Sequence, residues 1–189
     1  DLMKRYPQIC RYLDIPIQHA SDPVLKRMRR GHKLKDIERI IGLFRKEIPG
    51  ISVRTTVITG FPGETEEDFE TLKEFVKKTR FDRLGVFSYS HEEGTPAFSL
   101  EDDVPPEAKE SRHEEIMKIQ EEISLQANLN KVGSKLKVLI DRQEGEFYVG
   151  RSEFDSPDVD NEVLIPAESS DLHVGEFYEV KIYDAIEYD

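Results

Sequence analysis

The stretch Val53-Arg54-Thr55-Thr56-Val57-Ile58-Thr59-Gly60-Phe61-Pro62-Gly63-Glu64-Thr65 passes from a β-branched run, through a glycine and proline turn, into a helix start. Val53, Val57 and Ile58 with three threonines favour an extended, mostly buried strand. Gly60 and Gly63 around Pro62 demand a tight turn whose backbone can approach a ligand closely. Thr65 with Asp68 three residues on reads as a capping box ahead of Phe69, Leu72, Phe75 and Val76. Strand, glycine turn and helix form the unit that places ligands at the carboxyl ends of parallel strands. Alone it is common to many α/β proteins and names no function.

The flanking segments extend this unit. Tyr12 to His19 alternates and reads as a strand, with Pro16 near its end because proline cannot donate to a ladder. Asp22-Pro23 reads as an N-cap followed by proline, opening a short helix from Val24 to Arg30 that stops at Gly31. Ile37, Ile40, Ile41, Phe44 and Ile48 fall at the spacing of one buried helix face. A helix from about Glu66 to Thr79 then leads to a third strand, Asp82 to Tyr89. The order βαβαβ specifies a parallel sheet with right-handed crossovers. A loop from His91 to Ala97 and an acidic stretch precede a long helix, about Pro106 to Asn130, with Ile116, Ile119, Ile123 and Ala127 on one face.

From Lys135 the hydrophobic period changes to two, in Leu136–Ile140, Glu146–Gly150, Glu162–Ile165 and Glu176–Ile182, with turns at Glu144-Gly145 and Val174-Gly175. That pattern describes a small antiparallel barrel of oligonucleotide-binding size. The expected organisation is therefore an α/β domain over residues 1–130 and a small all-β domain over 131–189.

Composition narrows the function classes. The chain has 189 residues, 37% of them apolar and 35% charged, and no stretch resembles a membrane span. Asp1 and the missing initiator methionine lead to the expectation of an excised piece of a longer polypeptide. A single cysteine, Cys10, permits no internal disulfide and fits a reducing, cytoplasmic compartment; its plain role is that of a small buried hydrophobe. The net charge of −12 disfavours generic nucleic-acid binding. Residues 131–189 hold six Lys or Arg against fifteen Asp or Glu, a net of −9, and leave −3 for residues 1–130.

Three motifs in series carry a family resemblance. They are Pro16 to Asp22 with Leu25 to Gly31, then Thr56 to Thr65, then Phe87-Ser88-Tyr89-Ser90 with Glu93 to Ala97. In order and spacing this set resembles the radical S-adenosylmethionine methylthiotransferases. In that family a partial α/β barrel carries the radical chemistry and a C-terminal TRAM domain holds the macromolecular substrate. Gln18-His19-Ala20-Ser21, and Gly150-Arg151-Ser152 followed by Asp155 to Asp160, resemble the RimO-type branch. That branch methylthiolates an aspartate β-carbon of small-subunit ribosomal protein twelve.

The resemblance implies that residues 1 to about 130 are the last three strand and helix units of the barrel. S-adenosyl-L-methionine and two [4Fe–4S] clusters are implied for the parent protein. One cysteine cannot ligate such clusters, so the chain alone is expected to be catalytically inert and to bind no metal. On the cofactor side the resemblance assigns Gln18 to the ribose or methionine portion and Arg54 to the methionine carboxylate, for which a guanidinium suits. Ile58 and Gly60 match the adenine-contacting motif, although Thr56 stands in place of its first glycine and Glu64 falls one position late. Phe87 and Ser88 would present backbone to the adenine. The plain alternatives are a strand cap for Gln18, an ion pair for Arg54 and a core position for Phe87. His19 reads either as a proton-transfer group or as a hydrogen-bonding residue that orders the loop to Asp22. The basic run from Lys26 to Arg30, with Lys33 and Lys35, reads as a phosphate contact, a solvated helix face, or a surface meeting another part of the protein.

The −9 charge on residues 131–189 would attract a basic ribosomal protein and repel tRNA. A barrel strand without its neighbour would leave an edge open to self-association. Two competing readings are a tRNA methylthiotransferase and a non-catalytic acidic module that recruits basic proteins.

Overall fold

The computed structural model describes residues 2–169 and 171–187. Contacts divide the chain into two compact units, one of residues 13–49 and 53–123 and the other of residues 1–12, 50–52 and 124–189. The first secondary-structure element is a short helix, α1 (Leu2–Arg5), in the second of these.

The α/β unit is built on the sheet β1 (Tyr12–Asp14), β2 (Ser52–Thr59) and β3 (Arg83–Ser88), in that order across the sheet. Between them run α2 (Asp22–Arg27), α3 (Leu34–Glu47) and α4 (Glu66–Thr79), and α5 (Pro106–Leu129) follows. β2 and β3 are parallel, with Thr56 opposite Gly85 and Ile58 opposite Phe87. Odd-numbered residues of β2, Val53, Thr55, Val57 and Thr59, are fully buried, whereas Arg54, Thr56 and Ile58 are half-buried. Phe69, Leu72, Phe75 and Val76 of α4 are buried as well, and removing each such side chain from water contributes about 1.5–3 kcal/mol.

α4 starts where the capping box predicts. Thr65 Oγ1 accepts from the Asp68 N–H at 3.2 Å, and the Asp68 carboxylate accepts from the Thr65 N–H at 3.0 Å. Such a cap stabilises a helix by about 1 kcal/mol.

Several local expectations are corrected. Only Tyr12–Asp14 forms a strand, because Pro16 removes a donor and Gln18 takes a left-handed φ of 70°. The chain nevertheless stays beside β2 through a parallel Gln18–Val57 bridge. Ser21, not Asp22, is the N-cap of α2, and the Asp22 carboxylate accepts from the Leu34 N–H at 2.8 Å. α2 ends at Arg27, before Gly31, with Arg29 left-handed at φ 56°. Ile40 of α3 is 37% exposed at the border of its apolar face. Cys10 is exposed, so it is not a core residue. α5 buries Ile116 and Ile123, but Ile119 and Ala127 are half-buried, and Lys109, Arg112, Gln120, Ser124 and Asn128 complete its buried positions.

In the other unit, β4 (Lys135–Glu144), β5 (Phe147–Ser152), β6 (Val163–Pro166) and β7 (Phe177–Lys181) form an antiparallel sheet in the order β6-β5-β4-β7. Val138, Ile140 and Ile165 are its core, with Leu136, Tyr148 and Tyr178 packed against them. A shift of register between Ile140 and Arg142 marks a bulge, the usual device for curling a sheet toward a barrel. Gly150 is required at its place: a Cβ there would lie 2.5 Å from the Leu139 carbonyl oxygen.

Candidate functional site

The site is built from the side of the sheet that carries Arg54, Thr56 and Ile58. Strand alternation puts Gly85 and Phe87 of β3 beside Thr56 and Ile58 on this face. Phe87 is 60% exposed, which overturns its core alternative. Arg54 is half-buried and pairs with Asp14, Nη1 to Oδ2 at 3.0 Å, so the ion-pair role is realised on the same face. At the end of the strands Gln18 binds β2 through its backbone, donating to Thr56 O at 2.9 Å and accepting from Ile58 N at 2.8 Å. Its side-chain amide makes no hydrogen bond among the described residues. Gln18, Ile58 and Phe61 line a cavity of about 330 Å³.

Of the sequence-predicted residues, Arg54, Ile58 and Phe87 thus share one face of the sheet, while Gln18 meets Ile58 at a cavity that neither Arg54 nor Phe87 lines. The Ser88 side chain is not on that face, since it stands opposite Thr59 on the other side of the sheet and its Oγ is buried without a partner. Gly60 forms the turn after β2 with φ +72°, and a Cβ there would sit 2.3 Å from Lys109 Cγ.

Behind this face lies a polar network that sequence reading did not find. Glu64 is buried; its Oε2 accepts from the Gly60 N–H at 2.9 Å and its Oε1 from Arg112 Nη1 at 2.8 Å. Fully buried His19 accepts from the Ser21 N–H at Nδ1, 2.9 Å, which leaves the proton on Nε2, 3.2 Å from the same Glu64 Oε2. The loop-ordering role of His19 is the one this geometry supports. Glu64, one position late for the expected motif, instead holds the Gly60 turn.

Ser21 Oγ also donates to Asp68. Burial pushes the Asp68 carboxyl up, but the hydrogen bonds from Ser21 and Thr65 and the nearby Arg27 outweigh it and hold its pKa below the ordinary 3.8. At the end of β3, Tyr89 packs edge-on against Phe61 with ring centroids 5.1 Å apart, and its pKa is raised by burial and by Asp102 and Glu92.

Gly85 is the further residue of the face that the motifs did not mark. A Cβ there would meet Arg54 Nη2, Thr56 Oγ1 and Phe87 Cε2, each at 3.8 Å. Gly85 thus leaves a gap of about one side-chain carbon between Arg54, Thr56 and Phe87 on this face.

Comparison with known proteins fits this architecture. Residues 1–76 match the Radical SAM superfamily and residues 132–189 match the TRAM domain. Over all 189 residues the chain is 53% identical to a protein of Christiangramia forsetii named ribosomal protein uS12 methylthiotransferase RimO. Proteins of the same name from Flavobacterium johnsoniae and Bacteroides fragilis are each 54% identical over the same length. Along its whole length the chain is thus similar to RimO-type radical SAM methylthiotransferases.

It spans 42%, 43% and 44% of the length of these three relatives. A solved structure, the radical SAM enzyme coproporphyrinogen III oxidase (HemN) from Escherichia coli, matches with TM-score 0.53 and 24% identity. That match covers 61% of this chain and 27% of the other, and it supports the fold.

The face and the adjoining cavity suit S-adenosylmethionine. Together they offer a free amide at Gln18, a guanidinium at Arg54, apolar surface at Ile58 and Phe87, and space over Gly85. The donor set does not suit an iron–sulfur cluster. The chain has one cysteine, and among the described residues no group of three or more His, Cys, Asp or Glu could hold a metal ion.

Proposed function

We propose that this chain forms the cofactor-facing strands and the substrate-holding domain of a methylthiotransferase that modifies an aspartate of small-subunit ribosomal protein twelve. The observation that carries the proposal is the placing of Arg54, Ile58 and Phe87 on one sheet face, with Gln18 beside Ile58 at the adjoining cavity, in a chain more than half identical along its length to proteins named for that activity. The Gln18 amide and Arg54 orient the ribose and methionine portions of S-adenosylmethionine. Ile58 with the Gly60 turn and the Phe87–Ser88 backbone border the adenine. When bound, S-adenosylmethionine would supply the radical chemistry, and these residues would hold and orient it.

Cluster ligands come from outside this chain, since Cys10 is its sole thiol, and the chain alone is catalytically inert. In the proposed division residues 1–130 serve the cofactor and residues 131–189 hold the basic substrate through their net charge of −9. The enzyme works in the cytoplasm, where ribosomal proteins and reduced thiols coexist. Isolated, the chain self-associates through the short edge strand β1, which elution volume against concentration measures.

The deciding experiment incubates the complete, cluster-loaded polypeptide with the ribosomal protein and, separately, with tRNA, and looks by mass spectrometry for an added methylthio group. Label on the ribosomal protein is the expected result. Label on tRNA alone would replace the proposed substrate, and label on neither would favour the non-catalytic module.

A further inference from the structure

Gln18 and Arg29 are two of the four non-glycine residues with positive φ among those described, and both line the cavity beside Ile58. Strained backbone that gathers at one cavity points toward function. At Arg29 the strain has a traceable origin. The Arg30 N–H donates to Leu25 O at 2.9 Å and the Arg29 N–H to Lys26 O at 3.0 Å, the paired bonds that end a helix in a Schellman turn. The left-handed position of that turn suits glycine, yet arginine occupies it. The turn brings Arg29 and Arg30 to line the same cavity as Gln18 and Ile58.

The charge state of the cavity follows from the partners of these side chains. Arg27 is occupied by Gly63 O and the Asp68 carboxylate. Arg29 and Arg30 are exposed, and among the described residues their guanidinium groups have neither hydrogen bond nor ion pair. In a chain with net charge −12, two uncompensated cations at a concave site make a receptor for an anion. A planar guanidinium selects a carboxylate by two parallel hydrogen bonds.

We propose that Arg29 and Arg30 bind the side-chain carboxylate of the target aspartate, a role that rests on the functional reading above. Held there, the carboxylate fixes the adjacent β-carbon at the strand ends next to Gln18 and Ile58, and the pair distinguishes aspartate from asparagine. Arg29 keeps its strained backbone because a glycine would relieve the strain but lose the cation.

The test uses the complete, cluster-loaded protein and its variant with Arg29→Gly and Arg30→Gln, glycine being the residue that suits position 29. Two peptides of the substrate loop serve as probes, one with the target aspartate and one with asparagine in its place. Wild type is expected to bind the aspartate peptide about tenfold more tightly or better, as a hydrogen-bonded charge warrants. The variant should bind both peptides with the affinity that wild type shows for the asparagine form, and its affinity for S-adenosylmethionine should match wild type. A variant that keeps the preference overturns the assignment. So does a wild type without the preference, or a variant with weakened S-adenosylmethionine binding, which would give the arginines to the cofactor or the fold. Failure of wild type to modify the intact ribosomal protein would reject the functional reading itself, whereas modification without aspartate preference would reject the arginines alone.

Discussion

Glu64 shows most directly how one residue joins fold to site, because its carboxylate accepts from the Gly60 turn and Arg112 and lies 3.2 Å from His19 Nε2. Glu64→Ala would leave the Arg112 guanidinium, 11% exposed, with the exposed Glu66 carboxylate as its one remaining counter-charge among the described residues. The expected loss is about 3–5 kcal/mol, read from urea denaturation. Glu64→Gln should lose less, since an amide oxygen can still accept from Gly60. Asp68 carries a second prediction, in pH. Its folded pKa lies below 3.8, so its contribution is fully present above that value and is lost as pH falls through the lower folded value. Asp68→Asn should therefore lower the denaturation midpoint at neutral pH and flatten its decline in acid. The two carboxylates differ in how well sequence announces them. Asp68 acts three residues from its cap and is legible from spacing, whereas Glu64 meets Arg112 across 48 positions, a pairing that only the folded chain defines.

β2 and β3 decide whether the cofactor face is open. β2 was legible as an extended, mostly buried strand from its β-branched run, and the extent of α4 from its cap, whereas the alternation of buried Val53, Thr55, Val57 and Thr59 with half-buried residues appears only in the fold. β1 was less legible, since Pro16 and the left-handed Gln18 shorten it to three residues. Nor could hydrophobic spacing reveal the buried Lys109, Arg112 and Gln120 of α5, whose burial rests on particular partners such as Phe81 O for Gln120, at 3.0 Å. Register, invisible in sequence, is what places Gly85 opposite Thr56 and leaves the gap between Arg54 and Phe87. Gly85→Val tests that gap. A β-branched residue suits a strand, so thermal stability should hold or rise, while the added methyl groups occupy the space over the sheet. S-adenosylmethionine affinity of the complete protein, measured by calorimetry, should fall by about tenfold or more, equivalent to ~1.4 kcal/mol. Unchanged affinity would place the cofactor elsewhere.

For the molecule as a whole, the uneven charge is the feature that composition revealed and structure refines. Part of the acidity of residues 131–189 is internally matched, by Arg142 with Glu144 and Glu162, Lys135 with Glu179, and Arg151 with Asp141. Glu146, Glu153, Asp158 and Glu176 are exposed and have no ion pair among the described residues. These four, with Glu168, Asp171 and Asp184, which are likewise exposed and without an ion pair among the described residues, provide the uncompensated field that a basic ribosomal protein would meet. Exposed charges act over about 10 Å at 0.1 M salt, so their main effect falls on encounter rather than on the bound contacts. Neutralising the first four as Glu146→Gln, Glu153→Gln, Asp158→Asn and Glu176→Gln should slow association with the ribosomal protein by roughly tenfold at low ionic strength. The dissociation rate should stay nearly constant. Stopped-flow measurements over a salt series would show the wild-type rate falling toward that of the variant as screening increases. Parallel lines separated equally at every salt concentration would mean that these carboxylates are only a solvated surface, and that the substrate is recruited by another part of the protein.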